Sequence, residues 1–162
     1  LLKALNFQAI ACLHVAAGEY RPCPVTVGTY TPPDHYRVPA LMEDFVNTVN
    51  MRLHNTDPVA VATFVLWRVN HIHPFINGNG RTARAAAYFV LCVLSGGILP
   101  GTVILPELLR VQNRAEYVEA LREGDRTAAE GSLDLSRLHA LVARLIDQQL
   151  ASAINGGDQP TG

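Results

Sequence analysis

Residues 58 to 71, PVAVATFVLWRVNH, are apolar nearly all the way round a helical projection. A helix of that kind belongs in the middle of a helical layer, with neighbours on every side. HPFINGNGRTAR (73 to 84) follows it, and then a second apolar run, AAAYFVLCVLSGGIL (85 to 99). That run is broken by Ser95-Gly96-Gly97 and is short for a membrane span, which needs about 20 residues. It reads as a second buried helix over 80–95. The most turn-prone residues therefore lie between two core helices, and the packing of those helices fixes where the turn sits.

The flanking segments follow the same logic. Residues 1 to 17 are apolar and helix-like, and GEYRPCP (18 to 24) stops them, because Gly and two Pro cannot continue a helix. VTVGTY (25 to 30) alternates in the manner of a strand and is long enough for a hairpin at most. From Pro39 to Leu53, apolar residues recur at helical spacing: Leu41, Met42, Phe45, Val46, Val49 and Leu53. HNTDP ends that helix, and Thr56 or Asp57 caps the central one, with Pro58 in its first turn. GGILPGT is a break, and ELLRVQNRAEYVEALREGD holds one or two short helices. The last helix is amphipathic, with Leu133, Leu135, Leu138, Leu141, Val142, Leu145 and Ile146 largely on one side. The expected architecture is all-α with one small β-hairpin, a single domain over 1–154 and a disordered tail over 155–162.

A chain of 162 residues with 49% hydrophobic content has enough apolar surface for one proper core. Thirteen Lys and Arg face fourteen Asp and Glu, so bulk charge gives no reason to seek nucleic acid or an anionic membrane. Cys12, Cys23 and Cys92 are odd in number and lack zinc-ligand spacing, which fits free thiols in a reducing, cytoplasmic compartment. The chain starts on Leu1 in mid-pattern without a basic n-region, which reads as a trimmed or partial chain with no signal peptide.

The loop between the core helices has its own chemistry. At the start of the second helix the first backbone N–H groups lack partners and the dipole is positive. Gly78 and Gly80 remove side chains, so amides can close on a ligand. Asn79 is a good N-cap and can also donate its side-chain amide. Arg81 and Arg84 lie about one turn apart, so both can fork onto one anion. Together these make a polyphosphate site. His73, with an ordinary pKa of about 6.5, can act as a neutral base beside it. A base next to a phosphate cradle points to activation of a hydroxyl for attack on phosphorus. Phe75 points into the core and anchors the loop. His71 and His73 sit two apart at a helix end and point different ways, so they do not make a metal pair. His14, His35, His54 and His139 read as structural or surface residues.

HPFINGNGRTAR resembles the signature of the Fic-domain family, His-x-Phe-x-Asp/Glu-Gly-Asn-Gly-Arg-x-x-Arg. AAGEYRPCPVTVGTYTPP is similar to the segment leading into that family's β-hairpin flap, and AEYVEALREGD to its later Tyr-containing helix. The resemblance covers most of the chain and implies a Fic-like helical bundle. It also implies a protein adenylyltransferase, which moves AMP from ATP to a Ser, Thr or Tyr hydroxyl of a target protein. By position, His73 would take the hydroxyl proton, Gly78, Asn79 and Gly80 would line an anion hole, and Arg81 and Arg84 would hold the β- and γ-phosphates. Gly80-Arg81 resembles the AMP-transferring branch, since the phosphorylating Doc-like branch tends to carry Lys in place of that Gly. Val25, Thr26, Val27, Gly28 and Thr29 would hold the target by strand addition, or else form a plain surface hairpin. Tyr117 would lie near the base, or else is a core tyrosine.

Two departures from the family pattern stand out. Asn77 replaces an acidic residue that, in the family, binds Mg²⁺ bridging the phosphates; an amide oxygen can still ligate a hard cation, but without charge. The family's self-inhibitory motif, Ser/Thr-x-x-x-Glu-Gly/Asn, has no match: RTAAEG (126 to 131) carries Arg126 at the hydroxyl position, and EALREG (119 to 124) fails the same test. Restraint then comes from an antitoxin-like partner, from a helix on a missing N-terminal segment, or is absent. A homo-oligomer is compatible with the resemblance. Two alternatives stay open, a non-catalytic nucleotide-binding module and an enzyme that transfers another group, such as UMP, phosphate or phosphocholine.

Overall fold

The computed structural model describes residues 1–52 and 56–156. Among these, seven α-helices follow in order: α1 (Leu2–Ile10), α2 (Val38–Arg52), α3 (Pro58–Ile72), α4 (Asn79–Leu94), α5 (Leu105–Arg110), α6 (Arg114–Ala129) and α7 (Ser136–Gly156). A single 3-10 turn, His35–Arg37, leads into α2.

The central helix is where the sequence put it. Of the two cap candidates Asp57 acts, taking the Ala60 N–H at 2.9 Å, with Pro58 at the first position of α3. Val61, Ala62, Val65, Leu66, Val69 and Ile72 are at most 2% exposed, and α3 packs on α2, α4, α6 and α7. Burying one such Val, Leu or Ile is worth about 1.5–3 kcal/mol, so this helix carries a large share of the core. It meets α4 through small residues, Ala83, Ala86 and Ala87, which let the two axes approach closely. The opposite side of α4 is not buried as expected: Phe89 is 47% and Val93 55% exposed. α6 approaches α3 at Gly124, where a Cβ would come within 2.9 Å of Trp67 and 2.8 Å of Leu135. Gln149 of α7, fully buried, accepts the Leu105 N–H at 2.7 Å and so fixes where α5 begins.

Several local expectations are corrected. α1 ends at Ile10, and turns cover residues 11–13 and 15–18, with the Leu13 N–H tightened onto the Ile10 carbonyl at 2.8 Å. The β-hairpin over Val25–Tyr30 reduces to one bridged pair, Val27 with Tyr30, closed around Gly28 at φ 60°. Six residues with a turn in the middle leave no length for a ladder. α6 runs 16 residues and is not short, and Leu133 precedes α7, 44% exposed. α7 continues through Asn155 and Gly156, past the expected start of the tail, while residues 157–162, like Leu53 and His54, lie outside the described residues. Among the described residues no helix is long and apolar enough to cross a membrane.

Candidate active site

His73 closes α3. It is the non-glycine residue with positive φ among those described, at 51°, and its N–H returns to the Val69 carbonyl at 3.0 Å. This left-handed cap turns the chain out of the helix, at a cost of about 1–2 kcal/mol for a non-glycine residue. The imidazole lines a cavity of about 370 Å³. Nδ1 lies 3.3 Å from the Asn70 carbonyl oxygen, so it carries the proton and Nε2 keeps its lone pair. Burial pushes the His73 pKa below its ordinary value and the Arg21 charge adds to this, against the Asn70 bond. A neutral base results.

Buried polar side chains hold the loop. Arg21, 3% exposed, donates Nε–H to the His73 carbonyl at 2.8 Å, and its two terminal nitrogens donate to the Cys23 and Pro33 carbonyls. One guanidinium thus ties the backbone of the base to both ends of the flap turn. Phe75 is fully buried, as expected, and its N–H and carbonyl are both taken by the Asn79 amide, at 2.9 and 2.8 Å. Asn79 therefore braces the loop, and its side chain makes no cap bond to α4. Asn6, also fully buried, donates to the Asn77 carbonyl at 2.9 Å and accepts from the Gly18 N–H at 2.9 Å. Gly78 is obligatory here: its φ is 79°, and a Cβ would meet Ile10 Cγ2 at 2.7 Å.

The first bond into α4 runs from the Thr82 N–H to the Gly78 carbonyl, which leaves the amides of Asn79, Gly80 and Arg81 without an intrahelical acceptor. Gly80 lines the cavity, and the Arg84 guanidinium lies 3.4 Å from where its Cβ would be. Arg84, Asn70 and Tyr117 line the same space, with Val27 and Gly28 of the flap turn at its edge. Arg81 Nη1 donates to the Ala9 carbonyl at 2.6 Å, and the residue lines a neighbouring groove that it shares with Arg84. Tyr117 meets both descriptions given from the sequence. It is 5% exposed, its hydroxyl accepts from Asn70 at 3.0 Å, and burial pushes its pKa up to about 12.

Asn77 is exposed, and its Oδ1 accepts the Gly78 N–H at 2.6 Å. Among the described residues no three His, Cys, Asp or Glu gather as metal ligands. At position 77 the loop offers a cation one neutral amide oxygen, which the Gly78 N–H already engages. His71 points away from His73, to Asp125 at 2.8 Å. Glu130 and Glu123, the glutamates of the two near-miss inhibitory motifs, pair with Arg126 and with Arg137 of α7.

Sequence reasoning missed Asn6, Arg21, Asn70, Arg110 and Arg114. Asn70 left a trace, as a polar residue on a helix otherwise apolar all round; for the others nothing local separates them from surface polar residues.

A profile of the Fic/DOC family matches residues 1–91, which include the whole signature loop. Protein adenylyltransferase Fic of Drosophila grimshawi is 36% identical over 115 residues, covering 68% of this chain and 22% of the relative. The Drosophila melanogaster protein of the same name is 35% identical over 115 residues, again 68% of this chain and 22% of the relative. This chain thus spans about a fifth of the length of the curated relatives it matches. Among solved structures, Fic-1 from C. elegans superposes with a TM-score of 0.75 at 25% identity, covering 96% of this chain and 42% of that one. A Fic family protein from Desulfovibrio desulfuricans G20 gives 0.76 at 22% identity, covering 99% and 48%. The signature loop and the helical bundle agree with these matches, and the chain belongs to the Fic/DOC family.

Proposed function

We propose that this chain transfers AMP from ATP to a hydroxyl side chain of a target protein. The observation that carries this reading is one cavity shared by the His73 imidazole, Gly80 at the start of α4, and the Arg84 guanidinium. The target hydroxyl gives its proton to His73 Nε2 as its oxygen attacks the α-phosphorus. The bond from that phosphorus to the bridging oxygen breaks, and pyrophosphate leaves with the electron pair. The free amides of α4 and the Arg84 charge stabilise the oxygens on which negative charge builds. Mg²⁺ would arrive with the nucleotide, and no step is assigned to it.

The flap turn at Val25–Thr29 supports docking of the target segment, since Val27 and Gly28 border the cavity and both are exposed. Its contribution is backbone pairing beside Val27 rather than a preformed strand. Three free thiols fit a cytoplasmic setting, and a separate inhibitory protein would supply the restraint missing from the chain. The neutral, hydrogen-bonded Asn77 favours one second reading, a nucleotide-binding module that does not turn over.

Incubation with α-labelled and γ-labelled ATP and a protein extract separates these. AMP transfer puts the α-label on protein and leaves the γ-label in pyrophosphate. Saturable ATP binding with no label on protein contradicts transfer and supports the module; γ-label on protein contradicts AMP transfer and means phosphorylation.

A further inference from the structure

The cavity holds more positive charge than the signature loop supplies. Arg84 comes from α4, Arg110 closes α5 and Arg114 opens α6, and all three line it. Among the described residues, none of these three is ion-paired with a carboxylate, although other arginines nearby are. Glu116 pairs with Arg144, Glu119 with Arg122, Glu123 with Arg137 and Glu130 with Arg126. Asp125, the carboxylate on the cavity wall, is taken by His71 at 2.8 Å and by the Trp67 N–H at 3.0 Å. The acids of α6 are thus committed elsewhere, and three guanidinium groups face one space without a counter-ion.

The groups sense each other. Burial lowers the Arg84 pKa first, and the like charges of Arg110, Arg114 and Arg81 lower it further. A multiply charged anion relieves that repulsion, and guanidinium forks match phosphate oxygens. Arg81, its Nη1 on the Ala9 carbonyl, lines the neighbouring groove together with Arg84 and Arg110. Arg110 shares with Arg84 the wall between the cavity and the neighbouring groove, within reach of the same ligand.

We infer that Arg84, Arg110 and Arg114 form a clamp on three helices for a polyphosphate, in which Arg110 and Arg114 add to the grip of the signature arginines. The identification of that polyphosphate as the tail of ATP rests on the AMP-transfer reading; the anion site itself does not.

Sodium tripolyphosphate, titrated calorimetrically into the wild-type chain and into Arg110→Gln, Arg114→Gln and Arg137→Gln, reads the clamp without turnover. Arg110, Arg114 and Arg137 are exposed, so the variants keep the fold. Arg110→Gln and Arg114→Gln should each weaken binding about tenfold or more, the loss expected of one charge-assisted contact. Arg137→Gln, on the flank of α7, should leave it unchanged. Wild-type affinity in both cavity variants, or an equal loss in Arg137→Gln, overturns the clamp. α-Label transfer measured in parallel keeps the two claims apart. Clamp-dependent tripolyphosphate binding without transfer upholds the clamp and ends the AMP-transfer reading. Transfer by both cavity variants with the wild-type KM for ATP, and unchanged tripolyphosphate binding, does the reverse.

Discussion

At the scale of one residue, the site depends on what the fold does to His73. The helix cap sets its direction, the Asn70 carbonyl sets its tautomer, and burial keeps it neutral. A base whose pKa lies below about 6.5 stays competent at mildly acidic pH. The rate of α-label transfer should therefore be flat from neutral pH down to about 6.5 and fall only below it. An acid limb centred above 7 would contradict a buried, neutral His73. The same shift has a stability consequence of definite sign. The folded chain binds this proton more weakly than the unfolded chain, so the contribution of His73 is present above the unfolded pKa and is lost as pH falls from there through the folded pKa.

At the scale of elements, Arg21 links the flap turn to the cap of α3. It is a positioning residue, since it touches the His73 carbonyl and not the imidazole. Lys in its place keeps the charge and loses the fork, which leaves the part-buried carbonyls of His73, Cys23 and Pro33 short of donors. Each unpaired group costs about 1–3 kcal/mol. Arg21→Lys should lower the urea midpoint and reduce kcat for transfer about tenfold or more while KM for ATP stays within twofold. Unchanged kcat alongside the lower midpoint would leave Arg21 with a purely structural role. Such links are poorly legible in a sequence, because they join segments far apart: Arg21 reaches His73, and Asn6 reaches Asn77 and Thr82. Periodicity reports which face of a helix is buried, not which buried polar group answers which carbonyl. The same limit explains Asn79, a good cap by residue type, whose amide the fold spends on Phe75.

At the scale of the molecule, the helical order from Val38 to Leu94 was legible, because α3 is apolar on all sides and its flanking turns carry Gly, Asn, Asp and Pro. The signature loop was legible too, and His73, Gly80 and Arg84 of that loop line one cavity. The far wall was not. Arg110 and Arg114 arrive there only through the packing of α5 and α6, which Gln149 and Gly124 fix from within the core. On the proposed reading the assembly serves one act, the removal of a proton by His73 beside a bound polyphosphate. The most direct test measures α-label transfer and ATP affinity side by side for the wild-type chain and His73→Ala. The account predicts that transfer falls by about 10²–10⁴-fold, the loss expected of a general base, while ATP affinity stays within about twofold. Transfer by His73→Ala at the wild-type rate, with ATP still bound, would contradict it.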